Sequence, residues 1–287
     1  MVPDPSSSGD RLPSHSAARV ASAVMIAGAA ALMLGCDASQ QRAISENNSI
    51  FAAFQPPSPV QAAIWMNDPY DADKRYRGTN LLANAPFGGE DVYVKAYRIK
   101  LGAPPADGVD DDPGVRGVAA RALAMHGEPG DADLILPLLK EPDRRVRLEA
   151  VRALQRIHNP KAVEPLMALT SQRTEEDVDV RAEACVALGQ YAERRVMNVL
   201  IAALNDDSLV VQRSASQSLS TLTGQDLGDD PAAWVRFSDS TQTPFVGRRA
   251  FVPPFFARDK YWFEHIPFVP PPPNERPAPP IGMDQPA

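Results

Sequence analysis

VRGVAARAL (residues 115–123), VRLEAVRAL (146–154), VRAEACVAL (180–188) and VQRSASQSL (211–219) align with one another without a gap. In each copy a Val is followed by a small residue four and seven positions later, and by a Leu eight positions later. This spacing places the four residues on one face of a helix. The Val residues recur after 31, 34 and 31 residues, which indicates a repeated helical unit.

A second apolar helix is predicted after each of the first three copies, because pairs of large apolar residues keep nearly the same distance from the Val. A single helix pair cannot bury both of its faces, so the pairs must stack. A fainter copy, KRYRGTNLL (74–82) followed by VYVKAYRI (92–99), has Lys74 in place of the Val and predicts a terminal pair turned to water. The second-helix pairs are Leu136 and Leu139, Leu166 and Leu169, and Ile201 and Leu204.

Charged residues stand at matched positions around each copy. The acid six residues before each motif arginine predicts a ladder in which every arginine lies beside acids of its own and neighbouring units. We favour this structural role over an anion-binding strip, because each arginine has an acid at the same spacing. Helix capping is predicted for Asp112, Asp143, Asp177 and Ser208. The ladder residues are Arg116, Arg147 and Arg181 with Asp110, Glu141 and Glu175, and Gln212 follows Asp206 in the last copy.

The pattern D-x-x-x-V-R-x-x-A-x-x-A-L resembles HEAT-like repeats of the subclass found in phycobilisome-lyase-type proteins. It covers residues 107–223 well and 68–101 weakly, and TGQDLGDDPAAW (223–234) resembles the closing segment of such arrays. The resemblance implies a right-handed α-solenoid whose second helices line the concave side. It implies protein–protein interaction more often than catalysis, and the phycobilin-lyase activity of some relatives does not transfer, because no matching catalytic positions are present.

The whole pattern predicts an all-α fold of about four to five helix pairs, followed by an extended tail rich in proline and aromatic residues. A degenerate capping repeat is expected over 61–106, and the repeats proper over 107–243. The last of these residues include a short helix that begins near Pro231 and places Trp234 and Phe237 on one face as a C-terminal cap.

The first 60 residues predict a targeting segment followed by a tether. Residues 20–34 form an uncharged apolar run, shorter than the roughly 20 residues that span a membrane, and follow Arg11 and Arg19. The ending MLGC (33–36) resembles a bacterial lipobox, although Met33 and Leu34 depart from its usual residues. We expect a signal peptide over 1–35, lipidation of Cys36, a flexible tether over 36–60, and a lipid-anchored protein in the cell envelope that faces the periplasm. An uncleaved anchor and ordinary secretion are the alternatives.

The C-terminal tail, residues 244–287, contains twelve prolines and eight of the nineteen aromatic residues. Disordered tails usually have few aromatic residues, so this tail is expected to dock either on its own solenoid or on a partner. Phe255 and Trp262 are its candidate contact residues. Pro270–Pro273 predict extended polyproline followed by a loose end.

Composition and motifs argue against several functions. The chain has 29 Lys and Arg against 36 Asp and Glu, a net charge of −7, which argues against nucleic-acid binding. The motifs GxxxxGKS/T, GxSxG, HExxH and CxxC are absent from the sequence. His126 and His158 occupy similar turns and are expected to make turn contacts, and Cys185 is expected to be an inert core thiol. We therefore predict no catalytic residue, no metal and no cofactor.

These features favour a membrane-tethered scaffold or adaptor that binds protein partners, of unknown identity and oligomeric state. Lys140, Glu164 and Asn198 on the second helices are its candidate contact surface, together with the aromatic tail. The alternative is an enzyme, or an accessory subunit of an enzyme, that uses the concave face and the histidine-bearing turns.

Overall fold

The computed structural model describes residues 57–105, 108–256 and 278–283. In these ranges the chain forms eleven α-helices, and α5 continues into a 3-10 helix, Leu136–Lys140. The helices are α1 (Pro59–Met66), α2 (Ala72–Ala83), α3 (Asp91–Lys100), α4 (Pro113–His126), α5 (Ala132–Ile135), α6 (Arg144–Leu154), α7 (Val163–Leu169), α8 (Val178–Leu188), α9 (Arg194–Ala203), α10 (Leu209–Thr223) and α11 (Pro231–Ser240).

Helices α2 to α11 form five successive pairs, and α1 precedes them. Helix α1 packs on α2, and the first helices of the pairs pack side by side, α2 on α4, α4 on α6, α6 on α8 and α8 on α10. The four repeated nonapeptides lie in α4, α6, α8 and α10, and their Val residues, Val115, Val146, Val180 and Val211, are all buried in the core. The predicted all-α solenoid of four to five helix pairs is confirmed for this part of the chain.

Acidic caps set where the first helices begin. Asp112 accepts a hydrogen bond from the N–H of Val115 at 2.9 Å, and Asp143 accepts one from Arg145 at 2.8 Å. Asp177 caps α8 in the same way. Ser208 departs from the prediction, since its hydroxyl makes no cap bond and its N–H instead donates to Asp206 at 2.8 Å. The N–H groups of Asp112 and Asp177 donate to Asp110 and Glu175 in the same way, so the last unit keeps this bond and lacks only the side-chain cap.

The N-terminal helix α1 begins inside the segment predicted as a tether. Pro59 is its first residue, and the Ser58 hydroxyl accepts from the N–H of Gln61 at 3.2 Å. Helix α1 packs closely on α2 because Gly78 has no side chain. A Cβ at Gly78 would lie 2.3 Å from the backbone nitrogen of Met66.

The C-terminal helix α11 is the second helix of the fifth pair. Its Trp234 is completely buried, and the indole N–H donates to the carbonyl of Gly228 at 2.8 Å. The Phe237 ring meets Trp234 edge-on with 6.1 Å between centroids. Helix α11 packs against α9, so these aromatic residues cover the end of the array.

Several predicted features lie outside the described residues. They are the signal peptide over 1–35, the lipidation site Cys36, most of the tether, and Trp262 in the tail. Among the helices of the described ranges, none is both long enough and apolar enough to cross a membrane.

Candidate interaction surface

The predicted ladder arginines lie between successive units, each bound to the acid of the next unit. Each guanidinium donates two hydrogen bonds through Nε and Nη2 to one carboxylate, and Nη1 donates to the backbone carbonyl of its own unit's acid. Such paired bonds fix orientation as well as charge. The pairs are Arg116 to Glu141 at 2.9 and 2.7 Å, Arg147 to Glu175 at 2.6 and 2.8 Å, and Arg181 to Asp206 at 2.9 and 3.1 Å.

The first rung of this ladder is Arg75, which the sequence analysis missed. Arg75 donates to both oxygens of Asp110 at 3.0 Å, and it also contacts Asp111. Its signal was present, because Arg75 follows Lys74 as the motif arginine follows the Val in the later copies. The replacement of Val by Lys hid the equivalence.

The ladder ends where the motif arginine is replaced by Gln212. The Gln212 amide still donates to the backbone carbonyl of Asp206, at 2.6 Å. Gln212 therefore keeps the contact within its own unit. No further repeat follows in the described part of the chain to supply an acid, so a cation is not needed at this position. We define the arginine ladder as Arg75, Arg116, Arg147 and Arg181 with their acids.

At two of the ladder acids, Asp206 and Asp110, hydrogen bonds and nearby cations outweigh the effect of burial on the pKa. Burial raises the pKa of Asp206, but hydrogen bonds from Arg181 and from the N–H of Ser208 lower it further, so its pKa lies below the ordinary value. The pKa of Asp110 is lowered in the same sense, with Arg75 opposing the effect of burial. The hydrogen bond with Asp110 raises the pKa of Arg75. These charges stabilise the stack.

Two grooves lie between successive second helices beside the ladder. One, of about 620 Å³, has apolar walls from Leu139, Pro165 and Leu169 and charged groups that include Lys140 and Glu176. The next, of about 550 Å³, lies along α7 and α9. Its lining includes Met167, Val199, Ala202, Arg173 and Asp207. Both grooves combine apolar floors with charges of both signs.

The predicted contact residues Lys140, Glu164 and Asn198 are all exposed on the second helices. Lys140 lines the larger groove, whereas Glu164 and Asn198 lie outside both grooves. Glu164 forms an ion pair with Arg195 of the next unit. The three residues therefore share a layer but do not converge on one pocket.

The two histidines in the predicted turns both make structural contacts. The Nε2–H of His126 donates to the carbonyl of Ala83 at 2.7 Å. The amide of Gln190 donates to the carbonyls of Leu154 and Ala187, so its oxygen faces His158 and accepts from Nδ1–H at 3.1 Å. The His158 ring also stacks on Tyr191 with 4.8 Å between centroids.

Cys185 lies in the core of α8. Its side chain is completely buried, and burial raises the pKa of the thiol to about 12. Such a thiol is a poor nucleophile and a poor metal ligand, because both roles need the thiolate. Within the described ranges, no group of three or more His, Cys, Asp or Glu side chains could hold a metal ion.

Residues 245–256 of the tail lie against the array. Phe251 is buried, Phe245 and Phe256 pack on the core, and Phe255 is exposed. The guanidinium of Arg156 lies over the Phe256 ring at 3.6 Å and donates to the carbonyl of Pro254. Self-docking, one of the two alternatives left open by the sequence, holds for this segment.

Residues 278–283 also dock, so the predicted loose end after Pro273 is wrong there. The N–H of Ile281 donates to the carbonyl of Arg156 at 2.7 Å, and its carbonyl accepts from the N–H of His158 at 2.9 Å. This isolated parallel bridge pairs Ile281 with Ile157. Gly282, at φ of +83°, lies against Pro129. Backbone pairing of this kind leaves no periodic pattern that the sequence analysis could detect.

Comparison with known families agrees with the geometry. Two overlapping stretches, residues 107–178 and 168–238, match the family model of HEAT repeats. The stacked pairs over 107–238 are therefore HEAT repeats, which confirms the resemblance read from the motif. No curated protein matches the sequence.

Several solved structures are similar to this chain. An engineered protein is 20% identical, with 64% of this chain and 90% of that chain covered and a TM-score of 0.42. The complex of CpcE and CpcF of phycocyanin lyase from Nostoc sp. PCC7120 is 19% identical over 58% of this chain and 77% of that chain, with a TM-score of 0.38. YibA of Escherichia coli is 15% identical over 72% and 93%, with a TM-score of 0.39.

Proposed function

We propose that this protein is a non-enzymatic HEAT-repeat scaffold that binds protein partners through its second-helix layer. The observation that carries the proposal is the pair of adjacent grooves between successive second helices, of about 620 and 550 Å³. Their apolar floors and mixed charged rims suit an amphipathic partner segment, because such rims give register while the floor supplies affinity.

Site-specific crosslinking tests the surface. A photo-reactive residue replaces Lys140 or Asn198 in the second-helix layer, and the matched control replaces the exposed Arg145 on α6. The scaffold proposal expects the same partner bands from positions 140 and 198 and none from 145. Crosslinks of equal strength from all three positions, or from none, would count against it.

The finer part of the proposal is a lipid anchor at Cys36 that holds the scaffold at the cell envelope, facing the periplasm. It is supported by the apolar run before Cys36 and by the lipobox-like MLGC. Two acyl signals bind a membrane far more stably than one. Mass spectrometry of the mature protein tests the anchor, and we expect its first residue to be Cys36 carrying acyl chains. A mature chain that keeps residues 20–34 would indicate an uncleaved anchor instead, and an unmodified N-terminus would indicate ordinary secretion.

The enzyme alternative places chemistry at the histidine-bearing turns. Because His126 and His158 are both engaged by neighbouring groups, we assign them structural roles. The double variant His126→Ala, His158→Ala should keep partner crosslinking at position 140 if it remains folded by circular dichroism. Loss of a defined activity in that folded variant, with crosslinking unchanged, would favour the alternative.

A further inference from the structure

The docked tail segment, residues 245–256, runs along the turns that follow the first helices, in the direction opposite to the array. The N–H of Arg249 donates to the carbonyl of Thr221 at 2.8 Å, and Nη2 of Arg248 donates to the carbonyl of Gln190 at 2.9 Å. Further along, Pro254 meets Arg156. The segment therefore meets the fifth, fourth and third helix pairs in turn. We call this row the turn edge, and it consists of residues 155–158 and 189–191 in the turns after α6 and α8 and residues 221–224 at the C-terminal end of α10.

Arg156 gives the turn edge its selectivity. It is itself buried, and its Nη1 donates to the carbonyl of Arg152 at 3.3 Å, so its guanidinium is held in place. Arg156 donates a hydrogen bond to the backbone carbonyl of Pro254 and lies over the ring of Phe256. Arg121 lies 4.6 Å from the centroid of the same ring. A guanidinium over a ring face is an attractive contact, and proline keeps the chain extended with its carbonyl free to accept. The recognised feature is a proline followed two residues later by an aromatic ring.

The tail's own segment is an imperfect occupant. Arg248 lies between the segment and the array, where burial lowers the pKa of its guanidinium. Its Nε is buried and has no hydrogen-bond partner among the described residues, and its Nη2 donates to a neutral carbonyl. A buried donor without a partner weakens docking, because its lost hydration is not replaced. A ligand with a neutral residue in this position avoids that cost.

We propose that the turn edge is a binding site for an extended segment of a partner protein with a Pro-x-aromatic sequence. Residues 245–256 occupy it until such a segment displaces them, while residues 278–283 stay paired with the backbone of Arg156 and His158. This inference rests on the proposed scaffold function and adds a second surface and a partner class to it. A partner is favoured over a second copy of this chain by the short connection. Arg194 holds the carbonyls of Thr241 and Gln242 at 3.1 and 3.4 Å, which leaves too little free chain before residue 245 to reach another molecule.

Peptide titration of the full chain tests the site. The probe is a fluorescein-labelled peptide of residues 245–256 that carries Arg248→Gln, and anisotropy reports its binding. Phe256→Ala in the full chain weakens the intramolecular competitor, whose effective concentration is of millimolar order. We expect the probe to bind this variant about tenfold or more tightly than the wild-type chain. Phe255→Ala, which changes the adjacent exposed ring, should bind the probe like the wild type.

Two further titrations test whether binding depends on Arg156 of the chain and whether the charge of Arg248 in the peptide weakens it. Adding Arg156→Gln to the Phe256→Ala chain should abolish binding while circular dichroism shows that the fold is retained. A probe with the native Arg248 should bind more weakly than the Gln probe.

The proposal is overturned if the probe binds the Phe256→Ala and wild-type chains equally, or binds neither. A concentration-dependent dimer in sedimentation that Phe256→Ala abolishes would assign the turn edge to a second copy and also overturn it. Neither result affects the crosslinks from position 140, which lies in the second-helix layer. The scaffold proposal and the turn-edge proposal can therefore fail independently.

Discussion

At the residue scale, the pair of Arg181 and Asp206 is the most buried rung of the arginine ladder. Only 5% of the Arg181 side chain and 3% of the Asp206 side chain are exposed. Arg181→Ala leaves that carboxylate buried without its cation and frees the carbonyls of Glu175 and Glu176. Removing one partner of a buried pair costs roughly 3–5 kcal/mol. We expect the free energy of unfolding in urea to fall by about that amount.

The matched control is Arg145→Ala. Arg145 also pairs with an acid, Asp143, but 78% of its side chain is exposed. Exposed ion pairs contribute about 0–1 kcal/mol, because water screens the charges. Equal losses of stability in the two variants would show that the ladder is an ordinary surface network.

The lowered pKa of Asp206 predicts a pH dependence. Its ordinary value is 3.8, and its folded value is lower, so the folded protein binds fewer protons than the unfolded chain in this range. The ionised Asp206 side chain therefore makes its full contribution to stability above pH 3.8, and this contribution is lost as the pH falls through the pKa of the folded state. Asp206→Asn has no such group. The difference in unfolding free energy between wild type and Asp206→Asn should narrow from neutral pH to acid pH, and a constant difference would refute the assignment.

At the element scale, the stripe of each first helix is the unit of stability. Leu154 ends the motif in α6 and is completely buried. Leu154→Ala should reduce the free energy of unfolding by about 2–5 kcal/mol, because it removes buried methyl groups and leaves a cavity. Leu209→Ala makes the same chemical change where 61% of the residue is exposed and should have little effect. Chemical denaturation compares the two, and similar losses would mean that the repeat register is wrong.

Alanine substitutions at two helical glycines are expected to change stability in opposite directions. A Cβ at Gly78 would lie 2.3 and 2.5 Å from backbone atoms of Met66 and Ala62, so Gly78→Ala should push α1 off α2. A Cβ at Gly117 would meet Glu149 at an ordinary 3.7 Å. Gly117→Ala should stabilise the protein by up to about 1 kcal/mol through helix propensity. Melting temperatures in opposite directions would confirm both, and faster hydrogen exchange in α1 should accompany Gly78→Ala alone.

The elements show where sequence reasoning succeeds and where it ends. The first helices were predictable, since their apolar period and their aspartate caps are local signals. The start of α1 lies in the predicted tether, because Pro57 and Pro59 indicate an irregular segment, although a proline at the first helical position after Ser58 also begins a helix. The rest of α1 lies in the predicted capping repeat over 61–106. The docking of Phe256 and Ile281 could not be predicted, because each depends on Arg156, which is distant in sequence and outside the repeated motif.

At the scale of the whole molecule, the tail adds contacts that a simple repeat array lacks. In a solenoid each unit contacts only its neighbours, so its end unit is held on one side and opens most easily. Here the docked tail joins the fifth pair, at Thr221, to the third pair, at Arg156. The tail should therefore make the last helices unfold together with the middle of the array.

Phe251→Ala tests this coupling. Phe251 is buried in the docked tail, with 4% exposed, while the adjacent Val252 is 49% exposed and provides the control Val252→Ala. In native-state hydrogen exchange we expect the amides of α10 and α6 to open with similar free energies in the wild type and in Val252→Ala. In Phe251→Ala the amides of α10 should open more easily while those of α6 change little, because α6 keeps neighbours on both sides. An equal loss of protection in both helices would mean that Phe251 stabilises the fold globally and that the tail does not couple the end of the array to its middle.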